Sequence, residues 1–208
     1  MAKKKEDFLK SICKSIYGTG IHIKPTIKTY EVFSDEIYNV YKNLGGILDE
    51  APVNIGDWDI DLKSCIIEFD EENHFNRYRL ITLNSKIYDN YINFNVDEYK
   101  NYCKNYEKNC RTDGGYWRND SSDRQFGISS PEGDFNGNGS SRWKQRAYYD
   151  FLKDIYSLIT KTPVIRISIY DKFKYSTIGQ LITNEESLIL RQFIRQNLSQ
   201  ICKSTSES

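Results

Sequence analysis

The chain has 208 residues, with 29 Lys and Arg balanced by 29 Asp and Glu, so no whole-chain basic field points to coating or packaging of nucleic acid. No apolar run is long enough to span a membrane, and Met1-Ala-Lys-Lys-Lys lacks the apolar core of a secretion signal; the expected location is cytoplasmic, with no membrane partner. Cys13, Cys65, Cys103, Cys110 and Cys202 are odd in number and form no CxxC pair, so they read as reduced packing residues rather than disulfides or a zinc knuckle.

Charge is unevenly placed, with residues 49–72 mainly acidic and residues 3–14 and 142–153 richer in Lys and Arg. Phe8, Leu9, Ile12 and Ile16 recur at helical spacing and predict a first amphipathic helix ending at Gly18-Thr-Gly. A second helix is marked by Ser34 as N-cap, by the stripe Ile37, Val40, Tyr41 and Leu44, and by the stop Gly45-Gly46. Residues 47–55 read as a connector or a short edge strand. Asp57-Trp-Asp-Ile-Asp-Leu then alternates with period two, Asp61-Leu-Lys-Ser is turn material, and Cys65-Ile-Ile-Glu-Phe-Asp completes a predicted hairpin. A turn centred on Leu62-Lys63 sets Asp57 opposite Glu68, with Asp59 diagonal to it and Asp70 further along the same face.

Residues 77–91 fit strand or helix equally. Residues 97–110 predict a helix with Tyr99, Tyr102, Cys103 and Tyr106 on its apolar side, and residues 114–140, rich in Gly, Ser, Asp and Asn, a mobile flap or insertion. Ser141 caps a strong helix bearing Tyr148, Phe151, Leu152, Ile155, Leu158 and Ile159 on one face. Pro163 precedes Val-Ile-Arg-Ile-Ser-Ile-Tyr, a strand of the sort covered on both faces. Asn184 caps a last helix over 185–198, and the Ser-rich end is loose. This order predicts an α/β fold, a three-layer sandwich around a mixed central sheet. The expected organisation is an N-terminal extension over 1–33, a core over 34–182 with the polar insertion at 114–140, and a C-terminal helix and tail over 183–208.

Glu68, Asp70, Glu71 and Glu72 follow directly on an apolar run, and burying unpaired carboxylates is costly. Mg²⁺ or Mn²⁺ wants oxygen ligands, so Asp59 and Glu68 are candidate ligands, with Asp70 joining them or orienting a water. The same carboxylates also fit the solvated side of an edge hairpin. His74 is a candidate general acid or base, or a structural imidazole, and His22 reads as structural. Arg77 and Arg79 suit phosphate contacts or salt bridges to neighbouring carboxylates. Arg142, Lys144 and Arg146 crowd cations into the first turn of a helix, where the macrodipole opposes them, which suits either a phosphate partner or an ordinary cationic first turn; Arg146 and Asp150 stand at i,i+4. No phosphate loop, GxGxxG, G-x-S-x-G or HExxH is present.

Gly56-Asp-Trp-Asp59, a tight turn and Ile66-Ile-Glu68-Phe-Asp70, placed after a helix with Glu36, resemble the core of the PD-(D/E)XK restriction-endonuclease-like superfamily. Glu68-x-Asp70-x-x-x-His74, a later Arg-containing helix and Val164-Ile-Arg-Ile are similar to the very-short-patch-repair endonuclease group. DEENHFNRYR and SRWKQRAYYDFLKD also resemble a small uncharacterised bacterial family placed in that superfamily; the likeness spans residues 34–170. It implies a restriction-endonuclease-like core and a Mg²⁺- or Mn²⁺-dependent endonuclease, with Asp59 and Glu68 as ligands. The partner implied is DNA, cleaved in bacterial defence, restriction or repair, with a second copy or a defence-system protein as a further partner. Where the superfamily carries a lysine two residues after the glutamate, this chain has Asp70; either Asp70 replaces it, or Lys144 supplies the amine, or the site is inactive and the fold serves as a binding module.

Overall fold

A computed structural model describes residues 2–204 of the chain, with side chains over 4–198. Its elements are α1 (Ala2–Tyr17), α2 (Ser34–Asn43), β1 (Ile60–Asp61), β2 (Ile66–Asp70), α3 (Arg77–Thr82), α4 (Val96–Tyr106), α5 (Asp120–Phe126), α6 (Ser141–Thr160), β3 (Val164–Ser168), β4 (Lys172–Phe173), β5 (Ser176–Thr177), α7 (Ile178–Thr183) and α8 (Ser187–Ser204). The fold is α/β, with a small mixed sheet ordered β1-β2-β3, a separate β4-β5 hairpin and several packed helices. The chain divides into two compact units, one formed by Met1–Lys24, Asp57–Glu71 and Thr160–Ser208, the other by Pro25–Gly56 and Glu72–Ile159.

In the first unit β2 runs antiparallel to β1 and parallel to β3, with Glu68 beside Arg166 and Asp70 beside Ser168. Side chains alternate across a strand. One face therefore sends Ile67, Phe69, Ile165 and Ile167 into an apolar core with Leu9 and Ile12 of α1 and with Leu190 and Ile194 of α8. The other face carries Glu68, Asp70, Arg166 and Ser168, and these are buried as well. Every residue of β2 and β3 is buried, as the apolar run after Pro163 predicts.

The hairpin turn differs from expectation. Ile60 pairs with Ile67 and Asp61 with Ile66, while the Leu62 N–H donates to the Cys65 carbonyl at 3.0 Å. The turn thus centres on Lys63-Ser64, one residue later than the spacing suggests, which moves the register by two and keeps every side chain on its face. Position 59 then stands opposite Glu68, and Asp57 is left exposed outside the strand, where Lys24 pairs with it. Asn184 does not start the last helix: it closes α7, and Glu185 follows in the left-handed region with φ 55°. The Ser-rich end and the Cys202 side chain lie outside the described residues.

The second unit is helical. Tyr148, Phe151, Leu152 and Ile155 of α6 are buried, but Leu158, at one edge of the apolar stripe, is exposed. Residues 77–82 form a helix rather than a strand, begun by Asn76, whose side chain accepts from the Tyr78 and Arg79 N–H groups. Residues 114–140 are packed rather than loose. They contain α5, fully bury Trp117, and set its indole N–H on the Ser130 carbonyl at 2.8 Å. Asn138 donates to the Phe126 and Ile128 carbonyls, so the polar residues of this stretch serve as its internal hydrogen-bonding partners.

Candidate metal centre

In the first unit the β2 carboxylates are not left unpaired. Arg166, next strand over, sends one guanidinium nitrogen to both oxygens of Asp70, at 2.7 and 3.0 Å, and both side chains are almost wholly buried. The Glu68 carboxylate accepts the Asp59 N–H at 3.3 Å, and the Asp59 carboxylate accepts the Phe69 N–H at 2.9 Å. Lys10 donates to the Asp59 carbonyl at 2.6 Å. Asp59 and Glu68 therefore face each other across the hairpin and extend its ladder through side chains. Asp61 holds His22 through its backbone N–H at 2.8 Å and its imidazole Nδ1 at 2.5 Å, a structural role for that histidine.

In the second unit a turn over Glu72–His74 presents the imidazole, and the long helix α6 presents Asp150. His74 Nδ1 lies 2.8 Å from Asp150 Oδ2, a contact between residues 76 apart in the chain. Two ligands at right angles on a cation with bonds of about 2.1 Å are separated by about 3.0 Å, so this pair already has the spacing of two adjacent ligands. Asp70 stands four positions before His74 in the chain. Asp70 belongs to the first unit, so within the second unit the candidate metal ligands are His74 and Asp150, and neither Asp59 nor Glu68 is among them. The mixed oxygen and imidazole donors of His74 and Asp150 fit a divalent cation and are compatible with a metal-dependent enzyme. The i,i+4 spacing to Arg146 singles out Asp150 for a different reason, and no local signal in the sequence joins it to His74.

The predicted phosphate-binding residues are engaged within the second unit. Arg77 grips Glu107 through two nitrogens at 2.8 and 2.7 Å and stacks on the Phe135 ring at 3.7 Å. Burial pushes the Glu107 carboxyl up, but the hydrogen bonds from Arg77 outweigh it and hold the group below the usual carboxylate range. Arg79 is buried with Asp154, 2.8 Å away, and Tyr88 donates to the same oxygen at 2.6 Å. Arg142 donates to Gln145 at 2.6 Å; burial and the neighbouring Arg146 lower its pKa. Lys144 donates to Asn138 Oδ1 at 2.5 Å and sits 5.5 Å from the centre of the Tyr78 ring, and burial lowers its pKa.

Among the described residues no helix is long and apolar enough to cross a membrane. Neither a curated protein nor a solved structure matches the chain. Residues 39–184, well over half of the sequence, match the family of unknown function DUF7255, and the chain belongs to that family.

Proposed function

We propose that the chain is a metal-dependent nuclease that cleaves phosphodiester bonds, with DNA as substrate in bacterial defence or repair, and that His74 and Asp150 hold its cation. The observation that carries this reading is the 2.8 Å approach of His74 to Asp150. It is supported by the resemblance of Glu68-x-Asp70-x-x-x-His74 to the patch-repair endonucleases, a likeness of pattern only. A bound divalent cation would acidify a water and neutralise charge developing on the phosphate. Asp150 is fixed on the core helix, which sets where its carboxylate meets the imidazole. An imidazole among the donors favours Mn²⁺ over Mg²⁺, which binds oxygen almost alone.

One observation favours the rival, an inactive nuclease-fold module that binds a partner protein or nucleic acid: the 2.8 Å contact of His74 with Asp150 is also that of an ordinary hydrogen bond. Calorimetric titration of Mn²⁺ and Mg²⁺ into the wild type, His74→Ala and Asp150→Asn, beside plasmid and single-strand cleavage assays, separates the two. The nuclease reading expects Mn²⁺ binding and nicking in the wild type, both falling at least about tenfold in each variant. Metal binding without cleavage of any DNA or RNA leaves the rival, and a wild type that binds neither ion removes the metal centre altogether.

A further inference from the structure

The second unit has a groove of about 760 Å³ remote in sequence from His74 and Asp150, lined by residues of the 27–38 and 49–53 stretches. Its floor is apolar. Tyr30 and Ile37 are buried there, and Tyr30 is pinned by its hydroxyl to the Leu152 carbonyl at 3.0 Å, which holds the short 3₁₀ turn over Ile27–Phe33 in place. Ala51 and Val53 line the groove, while Ile27 and Tyr38 stand 76% and 42% exposed. Apolar side chains gathered in an open groove mark an interaction site, because each gains free energy only when something covers it.

The rim decides what covers it. Glu31, Asp35, Asp49 and Glu50 border the groove against a single cation, Lys28. All four carboxylates are exposed, and among the described residues none makes an ion pair or a side-chain hydrogen bond. Acidic groups elsewhere in this unit, Glu107, Asp113 and Asp154 among them, are matched by arginines. A second copy pairing through the same patch would set carboxylates against carboxylates, since a two-fold interface brings a surface onto itself.

We propose that this groove docks a basic amphipathic helix of a partner protein. Apolar residues at helical spacing on the partner would enter between Ile27, Ile37 and Tyr38, and its Lys and Arg residues would meet the four carboxylates. The proposal is independent of the metal centre. Fluorescence anisotropy with a labelled synthetic peptide of Leu and Lys at helical spacing tests it, with a Leu/Glu peptide of the same pattern as control. The Leu/Lys peptide should bind the wild type and the Leu/Glu peptide should not. Affinity should fall at least about tenfold in Asp35→Lys/Asp49→Lys/Glu50→Lys and in Ile27→Ser, surface changes whose folding circular dichroism checks, and should weaken as salt rises. No binding of the Leu/Lys peptide, or binding that neither variant alters, would overturn the proposal. So would sedimentation of the wild type as a dimer that Ile27→Ser dissociates, because the occupant would then be a second copy.

Discussion

At the scale of residues, charge and burial meet most sharply at Arg79. Its guanidinium is 1% exposed and is answered by Asp154, with Thr82 and Tyr88 taking the other nitrogen at 3.2 Å each. Removing the carboxylate alone would strand a buried cation, so Asp154→Ala should cost about 3–5 kcal/mol in urea denaturation, and Arg79→Met/Asp154→Leu should recover most of that. If Asp154→Ala costs as little as a surface change, the pair is not buried as described. Residues 77 and 79 illustrate how far spacing carries. On a strand they would share a face, but on α3 they point about 200° apart. One guanidinium lies at the surface on Glu107 and the other in the interior on Asp154. Of the candidate site, His74 was legible in the sequence; the partner Asp150 was not, since only folding brings residues 76 apart into contact.

At the scale of elements, helix stops were read better than starts: Ser34 is the first residue of α2 rather than its cap, and the Ser140 hydroxyl, not Ser141, accepts the Trp143 N–H at the start of α6. The α2 stop is an example: Gly45 adopts φ 84°, and a Cβ on Gly46 would meet the Tyr41 ring at 2.4 Å. Gly46→Ala should therefore cost about 1–3 kcal/mol by overpacking, read as a lowered urea midpoint with an unchanged slope. The start of α3 depends on a single side chain, so Asn76→Ala should cost about 1–2 kcal/mol, and an unchanged midpoint would refute the cap. Residues 114–140 escaped such reading. Their composition suggests a loop, yet Trp117, Phe135 and Trp143 pack ring against ring, a gain that appears only when distant residues are assembled.

At the scale of the whole molecule, the first unit draws its core from both ends of the chain, with α1 and α8 supplying Leu9, Ile12, Cys13, Leu190, Ile194 and Leu198. A fragment limited to residues 39–184, the span of the family match, loses α1 and α8 and keeps only α7 among the helices that supply this core. It should aggregate or melt without a cooperative transition, and a soluble fragment with a sharp thermal transition would contradict that core. Alkaline pH should weaken the full chain. Burial pushes the Cys13 and Cys110 thiols from about 9.0 up to about 12, so the folded state keeps protons that the unfolded state releases. Their contribution is complete below pH 9.0 and is lost as pH rises towards about 12. The fall in melting temperature across that window should be shallower in Cys13→Ala/Cys110→Ala.

The sequence by itself determined the helices with clear apolar stripes, the hairpin, the buried strand after Pro163 and the presence of carboxylates that need an answering charge. These rest on periodicity, capping and solvation, which act within a few residues. Only the tertiary structure decided that Arg166 answers Asp70, that Asp150 answers His74 and that a polar stretch would pack around Trp117. Those pairings join positions many residues apart, and no local energy term distinguishes one distant partner from another until the chain has folded.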